Sequence, residues 1–235
     1  MTDPAPPDSP SAPRRAIKSF VRRAGRITGA QTRALEELWP RYGLDYDGQP
    51  LDLDGVFGRR ALRSVEIGFG DGETLVSLAA ARPDRDFIGL EVHEPGVGHC
   101  LLRAAELELT NVRVLRHDAV EVLERSLAPA SLDEVLVFFP DPWPKKRHHK
   151  RRIVQPAFAT LVASRLVAGG RLRLATDWVA YAEWMRAVLD VHADYANAAG
   201  AAGYVERPAE RPITKFERRG TRLGHEVRDL AYRRR

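Results

Sequence analysis

From position 64 onward the chain alternates short apolar runs with longer segments whose apolar residues recur every three to four positions. The short runs at 64–68, 87–91, 112–115, 134–139 and 171–176 read as strands. The periodic segments 73–82, 95–109, 118–127 and 155–167 lie between them, 179–192 follows the fifth run, and all five read as helices. Such alternation predicts a doubly wound α/β fold, a mostly parallel sheet with helices on both faces. Past Gly203, the apolar alternation at 227–232 predicts one more strand, antiparallel and at the edge of the sheet. Ahead of the first strand, 28–42 carries Leu35, Leu38 and Trp39 at helical spacing and is closed by Pro40 and Gly43, with an Asp- and Gly-rich loop after it.

At 235 residues the chain has room for one sizeable core. Hydrophobic residues at 44% and charged residues at 29% are ordinary globular values, and no apolar run approaches the length of a membrane span. A lone cysteine, Cys100, excludes a disulfide framework within the chain and a multi-cysteine zinc site, and it suits a reducing compartment, so a cytoplasmic protein without membrane contact is expected. Five prolines in residues 1–13 describe a disordered tail and not a signal peptide. The expected organisation is therefore a tail at 1–13, an arm at 14–33 and a single domain at 34–235.

Charge sharpens this picture, because the formal net charge of +5 hides three basic segments. Residues 14–33 hold seven Lys or Arg and no acid, residues 145–152 hold six with His148 and His149 among them, and residues 211–235 hold nine against three acids. The remainder of the chain is left acidic, at −14. An acidic body with three basic segments favours a polyanionic partner, although any one such run alone is more often a solvated face. The adjacent histidines have no neighbouring cysteine or carboxylate, so no metal is expected there.

Two strand ends carry the candidate chemistry. The first runs into Glu66-Ile67-Gly68-Phe69-Gly70-Asp71-Gly72, immediately before a helix. Glycines there let the backbone turn sharply beside a ligand. Position 73 is Glu, so the pattern departs from the G-x-G-x-x-G of dinucleotide sites, whose job is to cradle a pyrophosphate. Glu91 closes the second strand 19 residues after Gly72, where an acid can accept ribose hydroxyls, and Asp118 follows the third. Both acids also suit helix N-caps. The fourth strand runs into Pro140-Asp141-Pro142-Trp143-Pro144-Lys145-Lys146, in which prolines on both sides fix Asp141 at the carboxyl end of the sheet.

The spacing E-x-G-x-G-x-G resembles the first motif of class I S-adenosylmethionine-dependent methyltransferases. Together with Asp141-Pro142-Trp143, the run 147–152, Ala175-Thr176-Asp177-Trp178 and Arg211-Pro212-Ile213-Thr214-Lys215-Phe216-Glu217, the chain resembles the bacterial tRNA (guanine-N7-)-methyltransferases over about residues 14–235. The resemblance implies S-adenosylmethionine as methyl donor, S-adenosylhomocysteine as product, and N7 of guanosine 46 in the tRNA variable loop as acceptor. It implies cofactor contacts for Glu66, Gly68, Gly70, Glu91 and Asp118, and a catalytic role for Asp141, which also touches the cofactor. Substrate contacts fall on Lys145, Asp177, Thr214, Lys215, Phe216 and Glu217, and RNA contacts on Arg147, His148, His149, Lys150, Arg151 and Arg152. For Asp177 and Glu217, pairing with nearby arginines such as Arg218 or Arg219 is the competing role. The expected partner is tRNA, and the expected state is a monomer or weak homodimer. A small-molecule methyltransferase would share the glycine motif but leave the basic segments unexplained, a non-catalytic RNA-binding scaffold would not need Asp141, and a nicotinamide-dependent dehydrogenase is disfavoured by the glycine spacing.

Overall fold

The computed structural model describes residues 19–20 and 25–235, apart from the side chains of 215 and 216. The expected tail and most of the arm lie outside the described residues. Two short helices lead in, α1 (Gly29–Glu37) and α2 (Trp39–Tyr42), and they break at Leu38 because Pro40 cannot continue the first. Thr28 and Gln31 close the start of α1 in a capping box. The Asp- and Gly-rich stretch that reads as loop contains a further short helix, α3 (Leu53–Phe57).

The main run follows as β1 (Leu62–Ile67), α4 (Glu73–Ala81), β2 (Arg85–Leu90), α5 (Glu94–Glu106), β3 (Val112–Leu115), α6 (Ala119–Arg125), β4 (Leu132–Phe138), a 3₁₀ turn (Lys146–Arg151), α7 (Pro156–Arg165), β5 (Leu166–Thr176) and α8 (Val179–Leu189). The chain ends in β6 (Tyr195–Asn197), a 3₁₀ turn (Gly200–Ala202), α9 (Lys215–Arg222) and β7 (Arg228–Arg234). One seven-stranded sheet results, in the order β3-β2-β1-β4-β5-β7-β6. Strands β1 to β5 are parallel, whereas β7 runs antiparallel to both β5 and β6.

The pleat divides the core. Val135 and Val137 of β4 pack with α6, α7 and α8 on one face, while Leu136 and Phe138 pack with α4 and α5 on the other. Two expectations need correction. Strand β7 is antiparallel but lies second from the edge, because the three-residue β6, too short to show a periodic pattern, pairs outside it. Helix α7 ends at Arg165 rather than at 167, since Leu166 pairs with Leu132 and starts β5 early. Among the described residues no helix is long and apolar enough to cross a membrane.

Candidate active site

The order of the sheet reverses between β1 and β4, and in an open α/β sheet the crevice at that reversal, at the carboxyl ends of the strands, is where ligands sit. A cavity of about 380 Å³ occupies this place, within the range of small-molecule sites. Gly68 and Gly70 line it from the β1–α4 loop, Glu91 and His93 from the end of β2, His117 and Asp118 from the end of β3, and Phe139, Pro140 and Asp141 from the end of β4.

The glycine loop turns through three left-handed residues, Gly68, Gly70 and Gly72, a conformation that costs other residues strain. Helix α5 packs hard against it, for a Cβ on Gly96 would lie 2.0 Å from the Gly70 carbonyl oxygen. Glu91 then fastens the turn: its Oε2 accepts from the Gly70 N–H at 2.8 Å, and Oε1 accepts from the N–H groups of Val92 and His93 at 2.6 and 2.9 Å. Three acceptor positions are thus used of the about four a carboxylate offers. Asp118 caps α6 through the Val120 N–H at 3.0 Å while facing the cavity. Beside it the His117 ring stacks on Tyr46, with centroids 3.7 Å apart, and Nε2 meets Glu121 at 2.7 Å.

Glu66 lies deeper. It is 3% exposed, does not line the cavity, and its Oε2 has no hydrogen-bond partner among the described residues. Burial, reinforced by the negative charges of Glu91 and Asp71, pushes its carboxyl up to about 8.

Asp141 is exposed, faces the cavity, and makes no side-chain hydrogen bond among the described residues. The loop that carries it is bracketed by two left-handed non-glycine residues, Phe139 (φ 51°) and Trp143 (φ 44°). Such residues persist only where their surroundings hold them. The Phe139 N–H donates to the Ala175 carbonyl at 2.8 Å, and Trp143 Nε1 donates to the Ser19 carbonyl at 3.2 Å, which brings the start of the described chain onto this loop.

Among the residues expected to contact substrate, Lys145 is exposed at the start of the 3₁₀ turn. Asp177 follows β5, its Oδ2 lies 3.4 Å from His225 Nδ1, and α9 approaches it closely at Gly220. Thr214 is buried, and its hydroxyl caps α9 by accepting from the Glu217 N–H at 3.2 Å. Glu217 departs from expectation: both carboxylate oxygens accept from Arg211, at 2.6 and 3.3 Å. Arg211 also grips both oxygens of Asp229, at 2.8 and 2.9 Å, and lies over the rings of Phe138 and Phe139. Neither Arg218 nor Arg219 is the partner of Glu217. The backbone of Lys215 and Phe216 starts α9, and their side chains lie outside the described residues.

Of the expected RNA contacts, Arg147 and Lys150 are exposed and Arg151 is half-buried with its guanidinium over Trp143. His148 sits edge-on to Trp143, and desolvation together with Arg147, Arg151, Lys145 and Lys150 holds its imidazole below the usual value. His149 tilts against Trp184. Arg152 departs from the exposed run around it, since it is 3% exposed and stacks over Tyr181 and Trp184 inside the domain.

Arg211 is the residue that sequence reasoning missed. Counted within a basic segment, it is a buried cation balanced by two acids, and the signal was Asp229 standing inside the apolar alternation of β7. Helix α9 was missed as well, although Thr214-x-x-Glu217 has the form of a capping box.

No Lys or Arg lines the cavity among the described residues, whereas Glu91, Asp118 and Asp141 do. Such walls do not suit a pyrophosphate. They suit hydroxyls, amino groups and a positive charge.

A family model described as "Putative methyltransferase" matches residues 60–230. The tRNA (guanine-N(7)-)-methyltransferase of Halorhodospira halophila is 58% identical over 220 residues, covering 93% of this chain and 95% of that protein. The protein of the same name from Stutzerimonas stutzeri is 58% identical over 99% of this chain and 98% of its own length. Among solved structures, TrmN from Thermus thermophilus superposes with a TM-score of 0.52 at 15% identity, over 87% of this chain and 48% of that one. The 16S rRNA methyltransferase KamB gives 0.51 at 17%, over 90% and 96%. At these identities the likeness to the solved structures is one of fold.

Proposed function

The chain belongs to the family of tRNA (guanine-N7-)-methyltransferases, and from that premise we propose that it methylates N7 of a guanine in tRNA, guanosine 46 of the variable loop, using S-adenosylmethionine held in the cavity at the β1/β4 crossover. The observation that carries the assignment of the cavity is its wall of carboxylates without a Lys or Arg among the described residues. S-adenosylmethionine supplies, when bound, an electrophilic methyl group on a sulfonium. Gly68 and Gly70 give it backbone room and Glu91 and Asp118 offer acceptors for ribose hydroxyls and the adenine amine, while Glu66, which lies behind the cavity wall, is left out of the contact set.

Guanine N7 carries an in-plane lone pair and no proton, so the acceptor needs no general base before attack. Placement dominates, and holding two reactants in near-attack geometry is worth several kcal/mol. Asp141, exposed at the cavity mouth on a loop of fixed backbone, is suited to stabilise the positive charge that develops on the purine ring. Asp177, on the neighbouring strand end, is available to accept from the N1–H and N2–H edge of guanine. Glu217 is reassigned from base contact to the ion pair that seats α9. The exposed cations Arg147 and Lys150 would hold phosphates and orient the tRNA without reading its sequence.

The test is methyl transfer by the purified chain to an unmodified tRNA transcript, mapped by chemical cleavage at 7-methylguanosine. Cleavage at position 46 in wild type, abolished when that guanosine is replaced and when Asp141→Ala is used, is the expected result. Label at another position would refute the target, and Asp141→Asn retaining most turnover while Asp141→Glu lost it all would refute the electrostatic role.

A further inference from the structure

The loop 140–144 contains three prolines, which donate no backbone hydrogen bond, and among the described residues none of its backbone groups is paired with another backbone group. One buried side chain reaches it from the interior. Arg152 Nε donates to the carbonyl of Pro142, the residue next to Asp141, at 3.0 Å. Its guanidinium also lies 3.2 Å from His149 Nε2. On its other side it lies over two rings of α8, with 4.8 Å to the Tyr181 centroid and 5.7 Å to that of Trp184.

Those same two residues bind the backbone next door. Tyr181 Oη accepts from the Val154 N–H at 3.3 Å, and Trp184 Nε1 donates to the Val154 carbonyl at 2.7 Å. Rings and chain therefore form one clamp around the guanidinium, on the helix that begins two residues after Asp177. No carboxylate pairs with Arg152 among the described residues. A buried cation without an anionic partner is a poor way to gain stability, and ring faces offset only part of its desolvation. What the arrangement supplies is a fixed distance between the loop bearing Asp141 and the helix following Asp177.

We propose that Arg152 is a positioning residue for methyl transfer, locking the Pro-Asp-Pro-Trp loop to α8 so that Asp141 and Asp177 face the same guanine, and that it does not contact tRNA. The proposal rests on the function assigned above, so its test has one arm that does not depend on turnover. Arg152→Lys keeps the charge but not the in-plane guanidinium fork, and Arg152→Gln removes the charge. In both, kcat for tRNA methylation should fall roughly 10- to 100-fold, the loss expected when a reacting group is misplaced by about 1 Å. The KM for tRNA and its salt dependence should stay within about twofold of wild type, whereas Arg147→Gln with Lys150→Gln should move both. Added ethylguanidinium should restore part of kcat to Arg152→Ala.

The independent arm is backbone 15N relaxation of the cofactor-free protein. The order parameters of Asp141 and Trp143 should fall in Arg152→Lys while those of α7 stay at the rigid value, which separates local release from global unfolding. Loss of tRNA affinity and a flattened salt slope in Arg152→Gln at unchanged kcat would overturn the proposal, as would order parameters at Asp141 and Trp143 identical to wild type. A wild-type protein inactive on tRNA would overturn the assigned function instead, and the relaxation data would still decide whether Arg152 holds the loop.

Discussion

Replacing Glu66 by glutamine keeps the shape of a buried side chain and removes its ability to ionise, so the pair isolates the cost of a charge beneath the glycine loop. The carboxyl is raised from 4.5 to about 8, first by burial and then by Glu91 and Asp71. Its folded-state value is raised, so the neutral form is the one the native protein favours. Stability from this group is fully present below pH 4.5 and is lost progressively as pH rises toward 8, because the unfolded chain gives up the proton readily and the folded one does not. At about 1.4 kcal/mol per pH unit the loss across that interval reaches up to about 5 kcal/mol, with relaxation around the site reducing it. The assay is urea unfolding of the cofactor-free wild type and Glu66→Gln at pH 5, 6.5 and 8.5. Other titrating groups cancel in the difference, and the variant should gain on the wild type by several kcal/mol between the first and last pH. A gap that stays constant across the three pH values would mean instead that Glu66 is hydrated in the folded protein.

Arg211→Met leaves Glu217 and Asp229 buried without their shared cation, and removing one member of such a cluster typically costs about 3–5 kcal/mol, so a large fall in Tm is expected. Unchanged Tm would mean that the pairs are not formed in solution. Neutralising Arg147 and Lys150, both exposed, should weaken tRNA binding and lower the slope of log affinity against log salt by up to about 2, with cofactor affinity unaltered; an unaltered slope would place the RNA elsewhere. Gly96→Ala drives a methyl into the Gly70 carbonyl, and weaker cofactor binding with little change in tRNA affinity is the expected outcome of binding titrations.

Much of the fold was legible because its signals are local. Strands β1 to β5 are buried on both faces, so they stand out as apolar runs, and the helices between them show one apolar stripe each. Strand β6 and the 3₁₀ turn at Lys146–Arg151 carry no such signature, the first for want of length and the second because every residue in it is basic. In the candidate site, Gly68, Gly70, Glu91, Asp118 and Asp141 declare themselves by strand-end position and come together around one cavity. Arg152 was placed by the segment it belongs to and Glu217 by the motif around it, with an arginine partner as its competing role; the fold buries both.

The alternation of elements, the chemistry available at each strand end and the motifs that mark the family are written in neighbouring residues, and reading the chain in order recovers them. Which charges meet water is decided by packing. A run of like residues reads the same whether its members are solvated or buried, and the difference lies in partners remote along the chain: Tyr181 and Trp184 for Arg152, Asp229 for Arg211. Whether a basic segment is a phosphate surface or the frame of the site is therefore settled by packing, because burial sets the energetic cost of a charge and packing brings up the groups that offset it.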